Sequence, residues 1–540
     1  MKIINMGLNK MLYDLNFLGE GKIFPPYTEL ERLEMYRQNK LLFEHRLQEV
    51  FSSYLERIRQ IINKFNDTDW AQISPDIYSL DMDYFELLSI KTADLTVGDP
   101  PTITVKKRHA SQEEIENGGE DELNARHQAA EKNLKAIEDD THLINKLNPL
   151  VIDISRYGDA VVRIFEQTKD RKNNFTGISP EMWFPVVDKE IKENRLYDVL
   201  AWIECCDPDE KDETRRKYIL KVQIHSAGQF EKREYIAEKY DKSYTLPDNS
   251  NCTIQRYKIG KMIFKSQPIK TGLSASAIRD FHNVTTADTI FGINDYDRIN
   301  AIIAELGVRY TLEALVLDKH TAPTLAADET NFFQNIDGTW TANVGGVMKV
   351  KNGQPFPQYI VWDASLQANH TMIEKLEKHL YSLSEMGAVL NDDSFGASQG
   401  FEALETRMTN ARTKARRLGS LMVTPLKELI SLLSEKGYEK IETEDISVQF
   451  NDGLPLTENQ EVNIALKKVG GGALEDVSTV LQEHFGKSKE EADAIAEILK
   501  QNAANPFSGN FLNIPTDEEP TDTEPMPSSD DGGDVTDEEG

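Results

Sequence analysis

Only three cysteines occur in 540 residues: Cys205 and Cys206 are adjacent, and Cys252 stands alone. That is no disulfide framework, and it fits a reducing compartment. Neighbouring residues of a strand face opposite ways, so packing explains the pair better than a metal or redox site. Long apolar runs are missing too: nothing approaches the roughly 18 to 20 residues that span a bilayer. Met1–Leu15 is broken by Asn5, Asn9 and Lys10 before a signal core forms, which predicts a soluble, unsecreted chain with no membrane partner.

Catalytic signatures are equally absent. There is no HExxH, GxSxG or GxGxxG, and the ten histidines form no ligand-spaced cluster. The FGKS at Phe485–Ser488 would need a glycine five residues before Gly486, where Leu481 stands, and no strand precedes it. His225 closes an alternating run and reads as a surface or satisfied histidine. The pairs Asp139–Asp140 and Asp392–Asp393 read as solvated loop acids rather than a magnesium site. The expectation is a protein that is not an enzyme and carries no cofactor or metal.

Positive charge is also in short supply, with 61 Lys and Arg against 91 Asp and Glu and a net charge of -30. Pro515–Gly540 holds eleven of the carboxylates and no Lys or Arg. With so little apolar surface to bury, 506–540 is expected to be a disordered acidic tail. A chain this acidic repels a phosphate backbone overall, which excludes an ordinary groove-reading DNA binder. Any DNA contact has to be local or weak.

What the sequence does contain is long helices around a β-rich middle. Helical spacing marks Tyr27–Phe65, Met82–Leu95 and the polar stretch Gln112–Lys146. From Val151 to about Lys265 short alternating runs take over, cleanest at Tyr218, Leu220, Val222 and Ile224. The SAGQ at Ser226–Gln229 reads as a hairpin turn, predicting mainly antiparallel pairing. Three later helices repeat apolar residues every 3 and 4: Tyr296, Ile299, Ile303, Leu306 and Tyr310; Ile373, Leu376, Leu380 and Leu383; Phe401, Leu404, Met408, Ala411, Ala415, Leu418 and Met422. That spacing gives a narrow seam suited to near-parallel packing of long helices, in a bundle or ring as well as on one chain's own core.

The first two of these helices bracket Thr321–Ser365, where Asp337-Gly338 and Asn352-Gly353 mark turns of a small β unit. A helix of about 25 residues would hold it roughly 38 Å from the body. Pro425 predicts a kink near Met422 in the third. Thr457 with Gln460, and Ser488 with Glu491, form capping boxes for two further helices. Between the second and third seam helices, Leu390–Gly400 is an acidic Gly/Ser/Asn loop that runs directly into a helix bearing Arg407, Arg412, Lys414, Arg416 and Arg417.

In this order the chain resembles the portal proteins of tailed bacteriophages. The likeness rests on YGDAVVRIFEQ followed by ISPEMWFPVVDKEIKENRLYDVLAWIE, on DYDRINAIIAELGVRYTLEAL, on FGASQGFEALETRMTNARTKARR and on GGALEDVSTVLQEHFGKSKEEADAIAEILKQ, and covers about Tyr27–Asn502. The family's Ser-Gly-x-Ala-Leu start of the long helix is met loosely, as Gln399-Gly400-Phe401-Glu402-Ala403-Leu404, which leaves the boundary of the preceding loop open.

The resemblance implies an α+β portal fold that forms a ring of about twelve copies at one capsid vertex. The wing would be 27–294, helical over 27–150 and β-rich over 151–265. Stem helices at 295–320 and 366–389 would flank a small α/β clip at 321–365. A tunnel loop at 390–400 and a long kinked helix at 401–437 would follow, then a crown at 438–505; 1–26 has no assigned place. It further implies passage of double-stranded DNA without sequence specificity during packaging and ejection. Partners would be the terminase large subunit, a head–tail connector or adaptor, and the major capsid and scaffolding proteins, with assembly in the host cytoplasm and a final place in the virion. Asn391, Asp392, Asp393, Ser394, Phe395 and Gln399 would face DNA, the acids repelling phosphate so that the duplex slides. The five basic residues would meet acidic neighbouring subunits or, less often, DNA. Two other readings stand beside it: a non-viral scaffold or adaptor whose seams bind partner helices without DNA, and a hydrolase with a scattered site.

Overall fold

The computed structural model describes residues 11–65, 84–107, 119–321, 366–390, 401–451 and 489–503 except 170, 213–214 and 247–251. It also describes 477–479, 481 and four short strands between 324 and 360. Residues 1–454 and 455–540 are separate units, and the second contributes the helix Lys489–Ala503. The Thr457–Gln460 box, the FGKS motif and the acidic tail lie outside the described residues.

Helix α1 (Leu30–Phe43) buries Leu30, Leu33, Tyr36, Leu41 and Leu42, then stops where the sequence predicts continuation. His45 is left-handed (φ 60°), Arg46 N–H donates to the Leu41 carbonyl (2.8 Å) and His45 N–H to that of Leu42 (3.4 Å). These two bonds close the helix with histidine where glycine is usual, and histidine is one of the few side chains tolerated there. A turn at Leu47–Val50 leads into α2 (Ser52–Phe65).

Helix α3 (Tyr84–Val97) follows the sequence expectation within two residues, whereas the stretch expected as one polar helix is two: α4 (Gly119–Thr141) and α5 (Leu143–Tyr157), parted at left-handed His142. Helix α5 continues past Val151, where strand was expected, because Leu143, Leu147, Leu150, Val151 and Ile154 form one buried helical face. A short apolar run of this kind reads as strand or buried helix alike. Gly158 (φ 87°) ends it.

The strands are β1 (Ile23–Phe24), β2 (Thr102–Val105), β3 (Asp159–Glu166), β4 (Asn173–Ile178), β5 (Trp183–Val187), β6 (Arg195–Cys205), β7 (Tyr218–Ser226), β8 (Gln229–Tyr240), β9 (Arg256–Lys265), β10 (Ile269–Lys270) and β11 (Ile278–His282). One seven-stranded sheet runs β1-β9-β8-β7-β6-β5 with β10 on β8, and a second runs β11-β3-β4; every strand pairing is antiparallel. The SAGQ turn is the β7–β8 hairpin, with Ser226 opposite Gln229 and Gly228 at φ 73°. Residues 11–24, part of the segment without an assigned place, line the larger sheet: Leu12, Phe17, Leu18 and Phe24 pack with Tyr36, Phe184, Val199 and Val222.

Helices α6 (Asn300–Thr321) and α7 (Leu366–Ser384) form the expected helical hairpin, α6 being roughly 33 Å long at 1.5 Å per residue. Between them β12 (Thr324–Ala326) pairs with β15 (Gln358–Ile360), and β13 (Phe332–Gln334) with β14 (Trp340–Ala342). Helix α8 (Phe401–Ser434) runs without a break through Pro425, and β16 (Ile446–Gln449) then pairs with β2.

The heptad seams close on one another within the single chain. Tyr296, Ile299, Ile303, Leu306, Ile373, Leu380, Met408, Ala411 and Ala415 form one buried cluster with Leu42, Phe85 and Leu88, while Leu383 stays exposed. Leu418 and Met422 leave it for a second cluster with Leu147, Val151, Ile154 and Phe175. A single helix thus serves two cores.

At one crossing two backbones touch. A Cβ on Gly292 would lie 2.1 Å from the Gly158 carbonyl oxygen and 2.8 Å from Asn283 N. Gly292→Ala should therefore destabilise the fold by about 2–3 kcal/mol, read as a lower urea midpoint at unchanged slope.

Candidate functional site

The expected DNA-facing residues Asn391, Asp392, Asp393, Ser394, Phe395 and Gln399 lie outside the described residues, as does the side chain of Arg407. The frame holding both ends of that linker is described. On one side, Glu385 (φ 60°) turns the chain after α7 and Met386 enters the seam core. The helical turn Gly387–Leu390 follows, with Val389 and Leu390 packed against that core. On the other side α8 docks through Met408, Ala411 and Ala415.

Basic residues of α8 pin the two sides together. Lys414 is only 5% exposed; its Nζ lies 2.9 Å from Asp295 Oδ2 and donates to the Ser384 carbonyl at 3.3 Å. Asp295 also accepts from Ser155 Oγ (2.7 Å) and Asn283 Nδ2 (3.2 Å). Arg417 pairs with Glu385, which lies 3.8 Å from Arg298 Nη1. The charge of Lys414 is therefore met inside its own chain by Asp295. Arg417 also finds its partner within the chain. Arg412 is half-buried and Arg416 exposed on the same helix.

A buried ionic network that sequence reasoning missed joins the two sheets. Arg195 on β6 makes a two-pronged bond to Asp280 on β11 (2.5 and 2.6 Å) and reaches Asp198 at 3.2 Å. Asp198 also accepts from Trp183 Nε1 (3.0 Å) and Ser276 Oγ (2.7 Å). His282 stands between Asp159 and Asp280, each ring nitrogen 2.5 Å from a carboxylate. Asp159 further accepts from Tyr36 of α1 and from Gly292 N–H (2.8 Å). The missed signal was parity: Asp198 shares a strand face with buried Leu200, where a lone acid needs a partner.

Burial alone would lower the affinity of His282 for its proton, but the charge of Asp280 and the bonds to Asp159 and Asp280 outweigh it, raising the pKa from 6.5 to about 10. Burial would raise that of Asp280, yet Arg195 and His282 hold it well below the ordinary 3.8. His282 is thus a standing cation with both nitrogens donating, unable to act as a general base. Its folded-state proton, absent from the unfolded chain above pH 6.5, stabilises fully below 6.5, and this contribution fades as pH rises towards 10. Asp280 acts in the opposite sense: its contribution is full above 3.8 and is lost as pH falls below it. In urea melts, the stability gap between wild type and His282→Gln should shrink by on the order of 2 kcal/mol between about pH 7 and pH 9.5.

Of the other residues singled out in the sequence, Asp140 has structural partners. Asp140 accepts from Lys172 Nζ (2.5 Å) and Tyr438 Oη (2.9 Å), and these bonds lower its pKa. The three thiols are free. His225, expected at the surface or satisfied, is 2% exposed and its Nδ1 has no partner. Among the described residues no three acidic, His or Cys side chains gather as metal ligands would, and no helix is long and apolar enough to cross a membrane.

No family model matches the chain, and no curated protein sequence does either. Among solved structures it is similar to a chain described as the neck of a native GTA particle computed with C12 symmetry, at 10% identity and a TM-score of 0.36, over 74% of this chain and 87% of that one. A likeness of that size does not fix a function, which has to come from the chain's own geometry.

Proposed function

We propose that this protein is the subunit of a portal ring of a tailed phage or phage-like particle, a head–tail component through which double-stranded DNA passes on packaging and ejection. One observation carries the reading: the helical segments on either side of 391–400 in the sequence are held to each other by a buried lysine pair and a shared seam core, and the ten residues between them include Asp392 and Asp393. Such a frame holds the linker's ends still while its Gly, Ser and Asp residues meet a moving polyanion. Acidic residues there keep phosphates from binding, since each phosphate neutralised by protein adds salt-dependent affinity.

The sequence resemblance to portal proteins agrees with this order of elements, and it extends the proposal to about twelve copies. It also assigns docking of terminase and connector proteins to the β unit between α6 and α7. Contacts between copies fall to surfaces other than the seams, such as those carrying exposed Leu317, Met372 and Leu421. A helical adaptor would need an open seam to receive its partner, and the seam residues buried here are filled by their own chain.

Negative-stain microscopy of the purified protein tests assembly: rings with a central hole are expected, and monomers or simple dimers at every concentration would overturn the proposal. The electrostatic part has its own test in particles carrying Asp392→Lys with Asp393→Lys. Packaging should slow, most at low salt; translocation unchanged at all salt concentrations would remove that part.

A further inference from the structure

A cavity of about 600 Å³ opens between α1 and the segment 288–297 that leads into α6. Met11, Met35, Leu246, Phe291 and Ile293 give it an apolar wall, and Glu31, Glu34, Asp288 and Asp297 give it negative charge. The one cation among the described lining residues, Arg32, is already committed. Its Nε donates to Glu29 (2.8 Å), and its other nitrogens donate to the carbonyls of Pro180 (3.3 Å) and Trp183 (2.9 Å). Glu34 is held mainly by neutral donors, Thr253 N–H (2.8 Å) and Thr253 Oγ1 (2.7 Å), with Arg37 Nη1 3.7 Å away. Asp288 and Asp297 are exposed, and no ion pair among the described residues involves either. The volume falls in the range of about 300–1,000 Å³ typical of sites that enclose a drug-sized ligand, which is also the size of a short stretch of peptide. An occupant that is both apolar and basic matches this lining.

The path of the chain points to such an occupant. Met11 stands in the cavity wall at 5% exposure, and the carbonyl of Leu12 accepts from Val187 N–H (2.9 Å), so the chain is anchored where residues 1–10 join it. In a chain of net charge -30, those ten residues hold Lys2 and Lys10 and no acid, and Ile3, Ile4, Met6 and Leu8 supply apolar side chains. At about 3.3 Å per extended residue, the stretch from Met11 back to Lys2 reaches roughly 30 Å, enough to bring Lys2 to any wall of the cavity. Attachment at Met11 also gives this segment a high effective concentration there, an advantage that the same segment of another copy lacks.

We propose that residues 1–10 fill this cavity in their own chain, their apolar side chains against Met35, Leu246, Phe291 and Ile293 and Lys2 beside Asp288 and Asp297. The two exposed acids then gain a cation, and the segment 288–297 is clamped from outside by a strap. Asp295 lies within that segment and holds Lys414 of α8, so the clamp reaches the frame on which α8 is pinned. The inference rests on the cavity and the segment beside it, and it is independent of ring assembly.

The test uses the full-length protein. Zero-length carbodiimide coupling joins a lysine to a carboxylate only where the two meet, and mass spectrometry then identifies both ends. Lys2 should couple to Asp288 or Asp297; coupling only to acids outside the cavity, or to none, would overturn the proposal. Two forms made in one cell, Lys2→Gln and Asp288→Asn with Asp297→Asn, can form that link only across chains. No link is expected in that mixture, and its appearance would assign the cavity to a second copy and overturn the proposal as stated. Amide exchange at Ile3–Leu8 should also be at least about tenfold slower than in a free peptide of the same sequence. Asp288→Lys with Asp297→Lys should speed it by about fivefold, the scale of two exposed ion pairs, and adding Lys2→Glu with Lys10→Glu should restore part of the protection. Exchange at the free-peptide rate in the wild type would overturn the proposal without recourse to any variant.

Discussion

Asp280→Asn should cost the folded chain about 3–5 kcal/mol, as expected when one member of a buried charge cluster is removed. Asp280 takes both prongs of Arg195 and one nitrogen of His282, so asparagine would leave two cations facing an amide that can satisfy neither fully. The loss is read as a lower urea midpoint. It should be accompanied by a fall in the His282 pKa from about 10, because the charge of Asp280 is the largest influence holding it up. The double variant Asp280→Leu with Arg195→Met should recover part of the stability, since a buried pair replaced by apolar groups of similar volume is often neutral. A loss below about 1 kcal/mol for Asp280→Asn would show that the network does not bind the sheets together.

Lys414→Met should cost about 3 kcal/mol, the low end for a broken buried pair, because Asp295 keeps its bonds from Ser155 and Asn283. The effect has a local signature as well. With Ser384 and Asp295 no longer pinned to α8, amide exchange should accelerate at Gly387–Leu390 more than at β7 and β8, in a different core. Uniform acceleration across the chain would mean that Lys414 contributes global stability without fixing the linker's frame.

Much of this architecture is legible in the order of residues, for reasons that differ by element. The β7–β8 hairpin shows because alternation and a turn signal coincide at Ser226–Gln229. The seams show because the 3–4 spacing is repeated three times, although their partners in this structure are helices of the same chain. The break at His45 is hidden because its cap uses histidine rather than glycine. The end of α5 is hidden because Val151–Tyr157 is as apolar as a strand. The ionic network joins residues distant in sequence, such as Tyr36 with Asp159 and Arg195 with Asp280, which no local pattern records. Lys414 reads as one of five basic residues on a helix, and only tertiary packing separates it from exposed Arg416.

One helix crossing two interiors has a mechanical consequence. Helix α8 is roughly 51 Å long at 34 residues, and apolar packing grips it from Met408 to Leu433. A helix gripped along that length by two clusters has to tilt or shift in both at once. At its far end Leu429 and Leu433 share a buried cluster with Val105 of β2 and with Ile446 and Val448 of β16.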